Sequence, residues 1–221
     1  MAWSREKVLS RIRELGVVPI VRVSTSEDAF RAVEAVVAGG LPMVEITMGV
    51  PNALRVMEQV VERFGDGVLL GAGTVLDTET CRAALLAGAE FIVTPSLNVK
   101  VIETARRYSK ACIPGALTPT EIVTAWQAGA DMVKVFPCAP VGGPQYLKSL
   151  RGPLPQIDFV PTGGVDLETT PDYIRAGAAA VAVGGELVSS KALREGKTEV
   201  IADNARKFLE AVRSARSGQS K

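Results

Sequence analysis

Two ionisable residues stand inside short apolar segments of the chain. Lys134 lies within residues 130–136, and Glu45 lies within Met43–Thr47. Charged side chains are rarely buried without a partner. Desolvation disfavours an ammonium ion, so a buried amine becomes available as a nucleophile toward carbonyl carbon. A carboxyl group near such an amine can move the protons that imine formation and C–C cleavage require. The two residue types therefore predict Schiff-base chemistry.

These two segments also have structural explanations. A lysine near a strand end can pack its stem while the ammonium group reaches solvent. Two opposite charges can also form a buried ion pair inside a core. The rest of the chain has to decide between these explanations and catalysis.

The chain contains no histidine. This absence excludes Ser-His and Cys-His catalysis and histidine-ligated metal sites. The three cysteines, Cys81, Cys112 and Cys138, show neither metal-ligand spacing nor even pairing. We therefore expect no metal, no cofactor, and free thiols in a reducing, cytoplasmic compartment.

The composition is that of a globular enzyme. The chain has 221 residues and a net charge of +1, with 47% hydrophobic and 22% charged residues. This size fits one α/β domain. No broad basic field indicates nucleic acid, and no apolar run reaches the length of a signal peptide or a membrane span. We expect neither nucleic acid nor membrane as a partner.

Strand patterns alternate with helix patterns along the whole chain. This alternation predicts a parallel sheet, and eight strands are the number that closes a (β/α)8 TIM barrel. An extra N-terminal helix is predicted over residues 4–15, a single domain over residues 1–213 and a disordered tail over residues 214–221. A doubly wound open sheet is the rival fold. The eight predicted strands cover residues 17–23, 43–47, 68–74, 90–95, 111–116, 130–136, 157–162 and 179–183.

Small and polar residues end several of these strands. The active face of a barrel lies at the carboxyl ends of its strands, and glycine-containing loops there often bind phosphate through backbone N–H groups. An arginine at a strand end can bind a carboxylate with two hydrogen bonds. The candidate substrate-binding residues on this argument are Arg22, Thr74, Thr162, Gly163, Gly164, Gly184 and Gly185.

Six segments, in order and with matching spacing, carry a resemblance that covers residues 17–188. They are AGGLPMVEIT, GAGTV, AGAEFIVTPSL, IPGALTPTE, VKVFP and FVPTGGV. With them the chain resembles the bacterial 2-keto-3-deoxy-6-phosphogluconate and 4-hydroxy-2-oxoglutarate aldolases, Schiff-base barrel enzymes of the Entner–Doudoroff type. The resemblance implies cleavage of a keto acid to pyruvate and an aldehyde, which is glyceraldehyde 3-phosphate for a phosphorylated substrate. It also implies a homotrimer.

The resemblance assigns roles to matching positions. Lys134 corresponds to the Schiff-base lysine, and Glu45 to the general acid and base that acts through a water. Another three residues correspond to the pyruvate end of the pocket: Thr74, Pro95 and Phe136. The loop that contacts the rest of the acceptor and its phosphate corresponds to Thr162, Gly163 and Gly164.

Two positions depart from the common family pattern. Gly49 stands where many members have a carboxylate-binding arginine, which makes Arg22 the candidate substitute. Gly185, followed by Glu186, stands where many members have a phosphate-contacting serine. Because a carboxylate repels a phosphate, an unphosphorylated 4-hydroxy-2-oxo acid and 2-keto-3-deoxy-6-phosphogalactonate stay open as substrates. Outside the aldolases, a sugar-phosphate isomerase or epimerase and an inactive binding protein also stay open.

Overall fold

The computed structural model describes residues 3–218. It is an α/β fold in which parallel strands and helices alternate along the chain. The strands are β1 Val17–Val21, β2 Met43–Thr47, β3 Leu69–Gly73, β4 Phe91–Val93, β5 Ala111–Ile113, β6 Gly115–Ala116, β7 Val133–Val135, β8 Phe159–Pro161 and β9 Val181–Val183. The helices are α1 Arg5–Leu15, α2 Ser26–Ala38, α3 Ala53–Phe64, α4 Thr78–Leu86, α5 Val99–Arg107, α6 Pro119–Gln127, α7 Gly143–Arg151, α8 Thr170–Arg175, α9 Ser190–Arg194 and α10 Thr198–Ser217.

Local sequence signals start and stop the helices next to the strands. Thr118 caps α6 through the amide of Glu121, whose carboxylate in turn accepts the Thr118 N–H, so two otherwise unpaired donors are satisfied. The side chain of Ser4 caps α1 in the same position. Gly16 ends α1 at a positive φ of 68°, a conformation that suits glycine, and β1 begins one residue later.

The strands form two parallel sheets. One has six strands in the order β5-β4-β3-β2-β1-β9, and the other has the order β6-β7-β8. Only Pro114 separates β5 from β6, where a single strand over residues 111–116 was predicted. Proline has no amide N–H to continue a ladder, but its carbonyl accepts the Lys134 amide at 2.9 Å. At the other end, residue Thr162 bridges to Ala182 of β9 in parallel. The chain and this bridge therefore connect the two sheets.

The C-terminal region differs from the prediction. Helix α10 ends at Ser217 and not at Arg213, because its apolar face continues to the buried Ala215. Arg216 also donates hydrogen bonds to the backbone carbonyls of Arg13 and Glu14. The predicted disorder is therefore wrong for residues 214–217, and residues 219–221 of that tail lie outside the described residues. Helix α9 was not predicted.

The buried apolar side chains form one cluster between the strands and the surrounding helices. Every residue of β1 and β2 is buried, including Glu45. Across the part of the chain that the structure describes, no helix is both long enough and apolar enough to cross a bilayer.

Candidate active site

Lys134 is the middle residue of β7 and is only 4% exposed. Its backbone is held on both sides, by pairing with Gly115 of β6 and Val160 of β8. The Nζ atom lies 5.2 Å from the centroid of the Phe136 ring. The side chain is therefore an amine in a largely dry environment, anchored on a central strand with an aromatic face beside it.

Glu45 is the middle residue of β2 and is 1% exposed. Within residues 3–218, neither carboxyl oxygen has a hydrogen-bond partner. Burial raises the pKa of this carboxyl group, and the positive charges of Lys134 and Arg22 oppose the rise with smaller effects. The geometry thus places a carboxyl group whose protonated form is stabilised by burial in the electrostatic field of the lysine. Such a group can donate a proton and then recover it.

A cavity of about 430 Å³ opens where β1, β7, β8 and β9 end. Lys134 reaches it from inside the fold, and Arg22 reaches it from the exposed end of β1. Most of the predicted substrate-binding residues line the same cavity: Arg22, Phe136, Thr162, Gly163, Gly164, Gly184 and Gly185. Gly163 and Gly164 both adopt positive φ values, 87° and 74°, so the loop after β8 depends on glycine for its shape.

Three predicted residues do not line this cavity. Glu45 lies buried in β2, and its carboxyl group interacts electrostatically with Lys134 and Arg22, which line the cavity. Thr74 follows β3 and is half-buried, with a φ of 59° that is rare for a β-branched residue. Pro95 packs instead against Gly115 of β6, where an added Cβ would overlap the Pro95 carbonyl group. The structure therefore does not bring these three to the cavity wall.

Three further residues line the cavity that sequence reasoning did not place in the site, Ile20, Val165 and Ala182, and Glu186 lines it beside Gly185, as the sequence indicated. Ile20 precedes Arg22 by two residues, and Ala182 precedes Gly184 by two. Residues two apart on a strand share a face, so strand alternation was a usable signal for both. Glu186 is exposed at the mouth and adds a negative charge near the glycine loop.

A larger surface cavity, about 590 Å³, lies between α2 and α3. Its walls are side chains of these two helices and include no strand end, which is where catalytic groups of such folds lie. No group of three or more His, Cys, Asp or Glu residues that could hold a metal occurs within residues 3–218. Because catalytic groups of such folds lie at strand ends, the cavity that Lys134 lines is the candidate active site.

A buried strand lysine that faces a cavity at the carboxyl ends of parallel strands, within electrostatic reach of a buried carboxyl group, is the arrangement of a Schiff-base (class I) aldolase. Comparison with known proteins agrees. The profile of the family described as KDPG and KHG aldolase matches residues 8–203. The chain is 37% identical to 2-dehydro-3-deoxy-6-phosphogalactonate aldolase of Escherichia coli K12, over 91% of this chain and 97% of that protein.

Two further relatives support the same conclusion. The chain is 36% identical to 2-dehydro-3-deoxy-phosphogluconate aldolase of Pseudomonas aeruginosa, over 82% of this chain and 81% of that protein. The structure is similar to that of KDPG aldolase from Legionella pneumophila, which holds pyruvate as a covalent carbinolamine intermediate. The TM-score is 0.85 at 28% identity, over 91% of this chain and 97% of that one. The chain therefore belongs to the KDPG and KHG aldolase family, and the resemblance seen in its sequence motifs is confirmed.

Burial of Glu45 predicts a pH-dependent stability. Because its pKa is raised above the ordinary value of 4.5 in the folded chain, the folded state keeps a proton that the unfolded chain loses as pH rises. The free energy of unfolding therefore falls with rising pH between the unfolded and folded pKa values. In the parent chain this decrease amounts to at most about 1.4 kcal/mol per pH unit. Glu45→Gln should not show it, because glutamine does not titrate.

Urea unfolding of both proteins over a series of pH values from about 5 to 8 checks this expectation. The exposed Glu168→Gln is the matched control, and its stability should follow that of the parent chain. Parallel pH profiles for parent and Glu45→Gln would contradict the burial argument.

Proposed function

We propose that the protein reversibly cleaves a 2-keto-3-deoxy-6-phospho sugar acid to pyruvate and glyceraldehyde 3-phosphate through a Schiff base on Lys134. The observation that carries the proposal is the position of Lys134, buried on β7 yet open to the cavity that Arg22 and the two glycine loops line. A keto acid with an anionic group at its far end fits this arrangement, because its keto group would lie at Lys134 and its far end at the glycine loops.

In the proposed reaction, the neutral amine of Lys134 attacks the C2 carbonyl of the keto acid and water leaves, giving a protonated imine. Removal of the proton from the C4 hydroxyl breaks the C3–C4 bond. The aldehyde departs, and the electron pair moves into the imine to give an enamine. Protonation of C3 and hydrolysis then release pyruvate. Glu45 is the proposed carrier of these protons and acts through a water. Its carboxyl group lies near the lysine, and burial raises the pKa of this carboxyl group.

Charge and loop shape support the proposed binding roles. The guanidinium of Arg22 at the end of β1 can hold the carboxylate beside the keto group with two hydrogen bonds. We assign Phe136, Thr74 and Pro95 to the pyruvate end from the family resemblance, with Phe136 additionally supported by its contact with Lys134. The distal phosphate is assigned to the backbone N–H groups of Gly163, Gly164, Gly184 and Gly185 in the loops after β8 and β9. Thr162 begins the first of these loops, and its own N–H donates to the Val135 carbonyl.

Glu186 favours a second candidate substrate. Its carboxylate lies at the same mouth as the glycine loops and is exposed, so it repels a phosphate dianion and accepts hydrogen bonds from hydroxyl groups. An unphosphorylated 4-hydroxy-2-oxo acid of the 4-hydroxy-2-oxoglutarate type is this candidate. The relative from E. coli K12 adds 2-keto-3-deoxy-6-phosphogalactonate. Comparing kcat/KM for the three substrates decides between them.

The overall architecture extends the proposal. We infer that the two sheets together form one closed (β/α)8 barrel with α1 as an extra N-terminal helix, and that residues 1–213 form a single aldolase domain. The Thr162–Ala182 bridge and the hydrogen bond from Ala179 N to the Phe159 carbonyl at 3.0 Å support this closure.

A homotrimer is proposed from the family resemblance. A cytoplasmic location is proposed because all three cysteines are free thiols, which a reducing compartment maintains.

The deciding experiment is intact-mass measurement after incubation with pyruvate and borohydride, with Lys134→Ala beside the parent chain. We expect one reduced pyruvate on the parent chain and none on the variant. No adduct on the parent chain would reject the Schiff-base mechanism and favour an isomerase or epimerase, or a binding protein that releases no pyruvate.

A further inference from the structure

Gly73, the last residue of β3, lies against the carboxyl group of Glu45. The two strands pair so that Glu45 is opposite Gly71 and Thr47 is opposite Gly73. The Glu45 side chain therefore leans forward along the sheet, toward the strand ends, by about two residues. A Cβ placed on Gly73 would overlap Oε1 of Glu45 and would lie 2.5 Å from its Cδ and 2.7 Å from its Cγ.

The position requires glycine for space and not for backbone freedom. Gly73 is absent from the glycines of positive φ within residues 3–218, so an alanine would fit its backbone. All three close atoms belong to Glu45. Gly71, two residues earlier on the same strand, leaves space for a different neighbour, the ring of Phe91. The two glycines of β3 thus have separate roles.

Hydrogen bonds from the described residues do not hold the Glu45 carboxyl group in place, since neither oxygen has such a partner. Its location depends on packing and on the attraction of Lys134 and Arg22. Packing holds a group where neighbouring atoms stop its movement, and the backbone of Gly73 lies against the Glu45 carboxyl group. A shift of about 1 Å in a catalytic group can cost on the order of 100-fold in rate.

We propose that Gly73 is a positioning residue whose missing side chain sets the place of the Glu45 carboxyl group relative to Lys134. This inference rests on the proposed function, in which Glu45 moves protons for the lysine imine. It predicts that Gly73→Ala forms the imine with pyruvate but exchanges the pyruvate methyl protons with solvent slowly.

The test compares Gly73→Ala with Gly67→Ala, at which an added Cβ meets nothing within 4 Å. Borohydride trapping should give the full pyruvate adduct in both variants. Exchange of the methyl protons in heavy water should fall about 100-fold or more in Gly73→Ala and stay near the parent rate in Gly67→Ala. Normal exchange in Gly73→Ala would overturn the proposal, and so would loss of the adduct in a folded Gly73→Ala protein.

A second comparison places the same change in the Glu45→Ala background. Without the carboxyl group the overlap disappears, so Gly73→Ala should lower the melting temperature of the parent chain by roughly 4 °C or more but leave that of Glu45→Ala nearly unchanged. An equal drop in melting temperature in both backgrounds would show that the residue added at position 73 does not meet the Glu45 carboxyl group. This readout does not depend on activity. A parent chain without a pyruvate adduct would therefore reject the proposed function, while the contact between Gly73 and Glu45 would still be measured.

Discussion

The Lys134→Arg variant should show no detectable turnover, with kcat at least about 10⁴-fold below that of the parent enzyme. Arginine keeps the positive charge beside Phe136 and near Glu45, but its guanidinium stays protonated and cannot form an imine. Charge alone would therefore be retained while the nucleophile is lost. Pyruvate release from the keto-acid substrate, measured by a coupled assay, gives the rate, and circular dichroism checks the fold.

A chemical rescue separates loss of the amine from loss of packing. The cysteine introduced in Lys134→Cys can be alkylated with 2-bromoethylamine, which restores a primary amine at nearly the original length. The chain's own three cysteines are buried, and the parent chain treated with the same reagent is the control. Recovery of turnover and of the borohydride-trapped adduct is expected. Substantial turnover by Lys134→Arg would show that the amine is not the nucleophile.

The Glu45→Gln variant should retain the lysine adduct but lose proton transfer, with exchange of the pyruvate methyl protons and aldol cleavage both reduced by about 10²–10⁴-fold. Glutamine has nearly the same shape and fills the same space against Gly73. It carries no transferable acid proton, so the change acts on the chemistry and not on the packing. Proton exchange in heavy water and initial cleavage rates are the two measurements.

The exposed Glu168→Gln is the matched control, because it removes one carboxylate that does not line the cavity. Its rates should equal those of the parent enzyme. The final extent of borohydride trapping in Glu45→Gln should also match the parent, although the approach to it is slower, because expulsion of water benefits from an acid. An unchanged exchange rate in Glu45→Gln would assign the proton transfer to another group.

Together, these two variants divide the reaction between the two buried groups. In the proposed reaction Lys134 supplies covalent attachment, and its position on β7, held on both sides by β6 and β8, gives the amine a fixed location. In the same proposal Glu45 supplies protons from β2, which belongs to the other sheet. A stiff strand on each side, and not a mobile loop, therefore presents each catalytic group.

The amino-acid sequence by itself determined the kind of chemistry and the order of the elements. A lysine and a glutamate inside apolar strands, in a chain without histidine, predicted Schiff-base catalysis, while an isomerase, an epimerase and a binding protein stayed open. The alternation of strands with capped helices is a local property, so the positions of the strands, with β5 and β6 as one, and of most helices could be predicted from periodicity and capping residues. The extension of α10 to Ser217 escaped prediction because it depends on contacts of Arg216 with the end of α1.

Only the tertiary structure decided which side chains meet. The cavity unites the ends of β1, β7, β8 and β9, which are far apart along the chain, and leaves Thr74 and Pro95 outside its wall. The Glu45 carboxyl group, which has no hydrogen-bond partner among residues 3–218, and the space for it above Gly73 arise from the register of β2 on β3. A shift of one residue in that register would turn the side chains to opposite faces. No local pattern encodes such a distance, because it depends on how the sheets pair and close.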